Sequence, residues 1–166
     1  DMDSLVPKPY ITADYASHNG MNGDNINDIY VDGGDRIWLA NYPAGVTIRN
    51  NRYQSYEWFR HSPGNSRSLV NDQVHDVIED SEGDLWFATS NGISLLQPAV
   101  GRWRSFLSRS DGIQDGGNHI FLTLCEVSPG VICAGGYASG LYRIEKKTGR
   151  VEYFPPSFAA EGRPDQ

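Results

Sequence analysis

Asp76-Val77-Ile78-Glu79-Asp80-Ser81-Glu82-Gly83-Asp84-Leu85-Trp86-Phe87-Ala88 reads as two short apolar runs joined by a tight turn. The same pattern stands upstream as Asp28-Ile29-Tyr30-Val31-Asp32-Gly33-Gly34-Asp35-Arg36-Ile37-Trp38-Leu39-Ala40. Asp32 and Asp80, Trp38 and Trp86, and Ala40 and Ala88 are each 48 positions apart. After each copy a glycine opens a further apolar run, Gly45-Val46-Thr47-Ile48 and Gly92-Ile93-Ser94-Leu95-Leu96. Each unit then closes on aromatics, Tyr56-Glu57-Trp58-Phe59 and Arg102-Trp103-Arg104-Ser105-Phe106. A degraded third copy follows. It runs from Ile120 to Val127, turns at Ser128-Pro129-Gly130, continues through Val131-Ile132-Cys133-Ala134-Gly135 and Gly140 to Ile144, and closes on Val151-Glu152-Tyr153-Phe154.

Each unit therefore holds four runs separated by Gly, Asn, Asp or Pro. Four short strands at a period of about 40–50 residues mark a propeller blade. A β-sandwich also has many short strands, but it does not require near-identical units at fixed spacing. No stretch keeps a 3.6-residue period, so little or no helix is expected. The fold class predicted is all-β: a partial β-propeller of about three four-stranded antiparallel blades. The expected divisions are the end of a preceding blade and a loop at 1–24, blades at 25–61, 62–110 and 111–155, and a connector at 156–166. The early run Tyr10-Ile11-Thr12-Ala13 fits a last strand, and the tail from Phe158 to Gln166 fits the connector. Propellers close with four to eight blades, so the chain reads as part of a larger ring. Two end blades would then expose apolar faces, from which a homo-oligomer is expected.

In the turn, the Asp80 carboxylate can accept backbone N–H groups and Gly83 can take a positive φ. Asp32 and Gly130 take turn positions in the other units, and Asp35 stands where Gly83 does. Paired carboxylates also suggest acid–base chemistry or calcium, but recurrence at one place in each unit favours turn formation. Trp38 and Trp86 are candidate core residues. Hairpins centred on these turns set Tyr30 opposite Trp38, Ile78 opposite Trp86, and Cys125 opposite Cys133. The last pair is either two buried free thiols acting as small hydrophobes or a disulfide formed after slight adjustment.

Composition narrows the chemistry. The chain has 166 residues, 18 glycines and a formal net charge of −7. An acidic chain repels phosphate backbones, so nucleic acid is not an expected partner. No run of about 18 apolar residues could span a membrane, and Asp1-Met2-Asp3-Ser4 does not begin a signal peptide. His18, His61, His75 and His119 are scattered without a metal-binding pattern. His75 and the adjacent Asp76 fall on alternate strand faces and make no simple dyad. Neither a nucleophile elbow nor a phosphate loop is present, and Gly33-Gly34, Gly116-Gly117 and Gly135-Gly136 read as turn glycines. No catalytic residue, metal or cofactor is expected. In the loop after the second strand of each unit stand Tyr42, Asn91 and Tyr137. Aromatic faces beside amides suit sugar recognition, with C–H stacking plus oriented hydrogen bonds; ordinary loop packing is the alternative.

The stretch from Asn71 to Ile93, and its copy from Ile26 to Ala40, resemble the two-component regulator propeller repeat. Its pattern is an asparagine-rich start, an apolar strand, Asp-x-x-Gly-x-Leu/Ile-Trp, then small residues and Gly. The third unit departs, with Cys133 in place of Trp and Glu126 or Val127 in place of Asp. The resemblance implies the periplasmic sensor region of a Bacteroidetes-type hybrid histidine kinase, with an oligosaccharide as ligand. It implies kinase chemistry in other domains and none in this segment. The rival readings are a structural propeller module that dimerises a receptor, and a propeller enzyme such as a lyase.

Overall fold

The computed structural model describes residues 20–109 and 118–156. The expected strand near Tyr10, His18, Gly116-Gly117 and the tail from Phe158 lie outside the described residues. Twelve strands build three antiparallel sheets of four. The first holds β1 (Ile26–Val31), β2 (Arg36–Asn41), β3 (Gly45–Asn50) and β4 (Ser55–Phe59). The second holds β5 (Val74–Glu79), β6 (Leu85–Thr89), β7 (Gly92–Gln97) and β8 (Arg102–Phe106). The third holds β9 (Phe121–Ser128), β10 (Val131–Gly136), β11 (Gly140–Glu145) and β12 (Val151–Phe154). Between β7 and β8 stands a 3₁₀ turn at Pro98–Val100. The all-β propeller expectation therefore holds.

Within each sheet the strands follow sequence order. β1 packs beside β5 and β5 beside β9, so the first strand of each blade is the innermost. Register places corresponding residues in rows across each blade. Tyr30–Trp38–Ile48–Glu57 in the first blade matches Ile78–Trp86–Leu95–Arg104 in the second and Cys125–Cys133–Arg143–Glu152 in the third. Directly opposed residues share a sheet face, so each row is one stripe of an inter-blade surface. Trp38, Ala40, Val46 and Ile48 pack into Val77, Leu85, Phe87 and Leu96 of the second blade. Trp86, Ala88, Ile93 and Leu95 pack into Leu124, Ile132, Ala134 and Ile144 of the third. Two layers of core thus lie between three blades, and Trp86 is wholly buried.

The repeated residues also carry polar links. Asp80 Oδ1 accepts from the amides of Glu82 and Asp84, both at 3.0 Å, and its Oδ2 accepts from the Trp86 indole at 2.8 Å. Asp32 does the same for Gly34 and Arg36 and for the Trp38 indole at 2.9 Å. The aspartate therefore shapes the turn and also satisfies the buried indole, which would otherwise be an orphaned donor. Asp35 has φ 61° and Gly83 φ 81°, so both turn positions are left-handed. At the inner edge, Asp28 Oδ2 accepts from the Val77 amide at 3.0 Å, and Asp76 Oδ2 from the Leu124 amide at 2.6 Å. Each joins one blade to the next. Burial, and then the neighbouring Asp28 carboxyl, push the Asp76 carboxyl above its ordinary range.

Glycine is required where the third strand begins. Gly92 has φ +101°, and a Cβ there would sit 2.8 Å from the Phe106 carbonyl and 2.9 Å from the Ser108 amide. Cys125 does stand opposite Cys133, and both thiols are free. Cys125 is exposed and Cys133 half-buried, so the expectation of two buried thiols is corrected. Their row lies on the face of the third blade turned away from the second, where no described element covers it.

Candidate functional site

The two ends of the blades differ. One end carries the β1–β2, β5–β6 and β9–β10 turns. The other carries the loops after β2, β6 and β10, together with the connections between blades. There each blade closes with an equivalent bond: the amides of Tyr42, Ser90 and Tyr137 donate to the carbonyls of Asn25, Gln73 and Ile120 at 2.9, 3.0 and 2.8 Å. The inter-blade connections are tied in as well, because Gly45 N donates to Asp72 O and Gly92 N to His119 O, both at 2.7 Å.

Tyr42, Asn91 and Tyr137 all lie at this end, but the structure does not gather them into one site. Tyr42 is half-buried and lines a cleft of about 480 Å³ with Asn22, Asp24, Asn25, Arg60 and Asp72. Its hydroxyl accepts from Gln73 Nε2 at 3.1 Å, and its ring packs tilted against His75 with centroids 5.7 Å apart. Asn91 is tied to its own loop and to the connection after β8: its backbone amide donates to Thr89 Oγ1 at 3.1 Å, and its Oδ1 accepts from the Arg109 amide at 3.3 Å. Tyr137 is 57% exposed and stands away from the cleft.

The cleft walls are held by polar side chains. Asn22 is fully buried; its Nδ2 donates to Ala44 O and its Oδ1 accepts from Arg60. The Arg60 guanidinium also lies over the Trp58 ring, 5.9 Å from its centroid. Asp72 accepts from the His61 amide. Behind Gly23, which lines the cleft, Asn41 Nδ2 donates to Gly23 O at 3.2 Å, while its buried Oδ1 has no hydrogen-bond partner. The result is one aromatic face beside amides, carboxylates and a guanidinium.

Next to Tyr42, His75 Nε2 lies 2.8 Å from Ser90 Oγ, and Nδ1 lies 3.4 Å from Asn27 Nδ2. Asn27 Nδ2 donates to Val74 O at 2.9 Å, so it presents a donor to Nδ1. With Nδ1 accepting from Asn27, Nε2–H would donate to Ser90 Oγ. Burial holds the His75 imidazole below its ordinary pKa. His75 therefore backs Tyr42. Hairpin pairing around the Asp80 turn could have brought His75 to Ser90. Asn22 and Arg60, 38 residues apart, carry no sequence signal that joins them.

A second cleft, of about 510 Å³, opens at the opposite end and is lined by Glu82, Arg102, Arg104, Glu145, Lys147 and Thr148 among others. It has no aromatic face. Beside it Lys146, in the third blade, reaches the turn of the second. Its Nζ lies 2.6 Å from Asp80, 2.7 Å from Glu82 and 2.7 Å from Asp84, and its side chain is 7% exposed. Burial pulls the lysine pKa down, but the three carboxylates outweigh it and the net direction is up. Burial likewise pushes Asp80 up, and the bonds from Lys146, Trp86 and the turn amides bring it below its ordinary value. This is an inter-blade clamp with every ammonium proton engaged. The joint between the first two blades is made differently: Tyr30 donates to Glu79 Oε2 at 2.6 Å, while Asp32 is paired within its own turn by Arg36 at 2.7 Å. Among the described residues no group of three or more His, Cys, Asp or Glu could hold a metal ion, and no helix is long and apolar enough to cross a membrane.

Residues 68–91 match the family model of the two component regulator propeller. The match covers the connection into the second blade, its inner strand, the Asp80 turn and β6. No curated protein matches the chain. Among solved structures, the chain is similar to the extracellular domain of a B. thetaiotaomicron protein described as a putative hybrid two component system, BT3049. That likeness has 23% identity and TM-score 0.75, and it covers 87% of this chain and 20% of that one. It is also similar to the extracellular domain of BT4673 from the same organism, with 21% identity, TM-score 0.63, and 86% and 18% of the two chains covered. A third is PorZ of Porphyromonas gingivalis, a component of the type-IX secretion system, with 11% identity, TM-score 0.58, and 82% and 22% covered. These likenesses establish the propeller fold. The chain spans about a fifth of the length of the structures it resembles.

Proposed function

We propose that this chain is a non-catalytic, ligand-sensing propeller segment of a hybrid two-component sensor, lying in the periplasm and binding an oligosaccharide. The cleft around Tyr42 carries the reading. A sugar ring presents apolar C–H faces and a rim of hydroxyls. Tyr42 offers the stacking surface, and Asn25, Arg60 and Asp72 offer polar groups around it, with Asn22 buried behind them and bonded to Arg60. The regulator-propeller match over residues 68–91 and the likeness to extracellular domains support the sensor class and the extracytoplasmic placement. The cleft draws on three separate parts of the chain: the segment before β1, the loop after β2 and the connection leading into β5. A ligand bridging them favours one packing of these parts over others, which is how binding becomes a signal.

A second reading is favoured by the terminal faces. Ile29 and Val31 are exposed at 59% and 53% on the first blade, and Leu141 and Phe154 at 43% and 47% on the third. Apolar surface of this kind suits self-association, so a propeller module that dimerises a receptor is the alternative, and homo-oligomers through these faces are expected on either reading.

A thermal-shift screen with oligosaccharides from common polysaccharides separates the two. A ligand at about 100 times its Kd adds roughly 2.7 kcal/mol, a rise of about 5–11 °C for a domain of this size. Tyr42→Ala is expected to abolish the shift and Tyr137→Ala to retain it. No shift with any oligosaccharide would overturn the sensor reading in favour of the interaction module.

A further inference from the structure

The third blade breaks the pattern of the other two on one face only. Its Leu124, Ile132, Ala134 and Ile144 join the core against the second blade. On the opposite face the row that reads Tyr30–Trp38 and Ile78–Trp86 becomes Cys125–Cys133. The adjoining row is thinned as well, with Thr123 opposite Gly135. A Cβ on Gly135 would meet Thr123 Cγ2 at 2.8 Å, so the Thr123 side chain occupies the space beside the glycine. Two small side chains thus replace two large ones at one opposed pair.

We propose that Cys125 and Cys133 form a reversible cross-strand disulfide on this face. Opposed residues of an antiparallel pair have Cβ atoms about 4.5–5.5 Å apart, and a disulfide needs about 3.5–4.5 Å. The required approach is small. Both sulfurs are free thiols, and the one bond either makes is the weak contact from Cys125 Sγ to Glu126 O at 3.6 Å. In this chain Cys125 is exposed, while Cys133 is half-buried beside it. This is the arrangement of an attacking and a resolving thiol.

With glutathione disulfide as oxidant the chemistry closes in two exchanges. The Cys125 thiolate attacks one glutathione sulfur, the glutathione S–S bond breaks, and one glutathione thiolate leaves. The Cys133 thiolate then attacks the Cys125 sulfur, forming the protein S–S bond and expelling the second glutathione. Two protein thiols are oxidised and one glutathione disulfide is reduced to two thiols, which take up the two protons.

The test equilibrates the folded protein in buffers of reduced and oxidised glutathione, quenches with acid and alkylates. Cleavage after Glu126 separates the two cysteines, so mass spectrometry reads the link directly. The expected result is a disulfide-linked peptide pair that grows as the buffer becomes more oxidising and is lost on reduction, with tryptophan fluorescence unchanged. Cys133→Ser is expected to accumulate a glutathione adduct on Cys125 that the wild type does not retain. Two alkylatable thiols at every ratio, or a lasting wild-type adduct on Cys125 with Cys133 free, would overturn the proposal.

Discussion

Replacing Lys146 with Met removes the cation that joins the third blade to the turn of the second while keeping the length of the side chain. Three carboxylates then lose their counterion: Asp80 at 2.6 Å, and Glu82 and Asp84 at 2.7 Å each. The Asp80 side chain is fully buried and that of Asp84 is 9% exposed, whereas Glu82 is 63% exposed and can turn to water. Breaking a buried ion pair from one side costs about 3–5 kcal/mol. Asp80 keeps the Glu82 and Asp84 amides and the Trp86 indole, which places the expected loss near the lower bound, at about 3 kcal/mol. That is a fall in Tm of roughly 6–12 °C for a domain of this size. Urea denaturation followed by tryptophan fluorescence measures it, with exposed Lys147→Met as a control expected within about 0.5 kcal/mol of wild type. The pH dependence adds a second reading. Asp80 is held below its ordinary value in the folded state, so its contribution is present above about pH 3.9 and is lost as pH falls through the folded value. Lys146 is raised, so its contribution is present below about pH 10.4 and is lost only as pH rises through its folded value. The gap between wild type and variant is therefore expected to be flat near neutrality and to shrink below about pH 4. A variant as stable as wild type at neutral pH, or a gap that widens in acid, would refute the reasoning.

Gly92→Ala is expected to cost at least about 2 kcal/mol, because the new methyl meets the Phe106 carbonyl and the Ser108 amide. Gly101→Ala, with φ +61° and open space around it, should cost only about 1 kcal/mol; equal losses in chemical denaturation would show that the close approach is unimportant. Trp86→Phe deletes the indole bond to Asp80 and part of a fully buried ring, an expected loss of about 2 kcal/mol read by thermal unfolding. His75 should titrate by NMR with a midpoint below about 6.5. Since the unfolded imidazole binds its proton first, stability falls as pH drops below that value, and His75→Asn should flatten this slope.

The blade repeat is legible because its roles are local. An aspartate that folds a turn and a tryptophan six residues later share one hairpin, so spacing alone exposes both. The opposition of Cys125 and Cys133 is legible for the same reason, since it needs only the position of the Pro129-Gly130 turn. What spacing could not reveal joins residues far apart. Lys146 is 66 positions from Asp80 and sits in the least regular unit. Nothing near Tyr42 in sequence announces Asn22 or Arg60, and the span 1–24 reads as part of a preceding blade, which hid Asn22 altogether. Tyr42, Asn91 and Tyr137 group in the sequence because they occupy corresponding loops. Corresponding loops of successive blades are separated by the spacing of packed sheets, about 10 Å, so equivalence in the repeat does not by itself bring side chains into one cleft. The exposure of Cys125 is not legible in the sequence, because burial depends on what packs against a face, which a repeat pattern does not contain.

Isothermal titration calorimetry of the oligosaccharide that gives the largest thermal shift, against wild type and Tyr42→Ala, tests the ligand-sensing account most directly. The account predicts saturable binding to wild type and a loss of about tenfold or more in the variant, at 1.4 kcal/mol per tenfold, with the variant's fold intact by circular dichroism. Equal affinity in the two proteins, or no heat from any oligosaccharide, would contradict it.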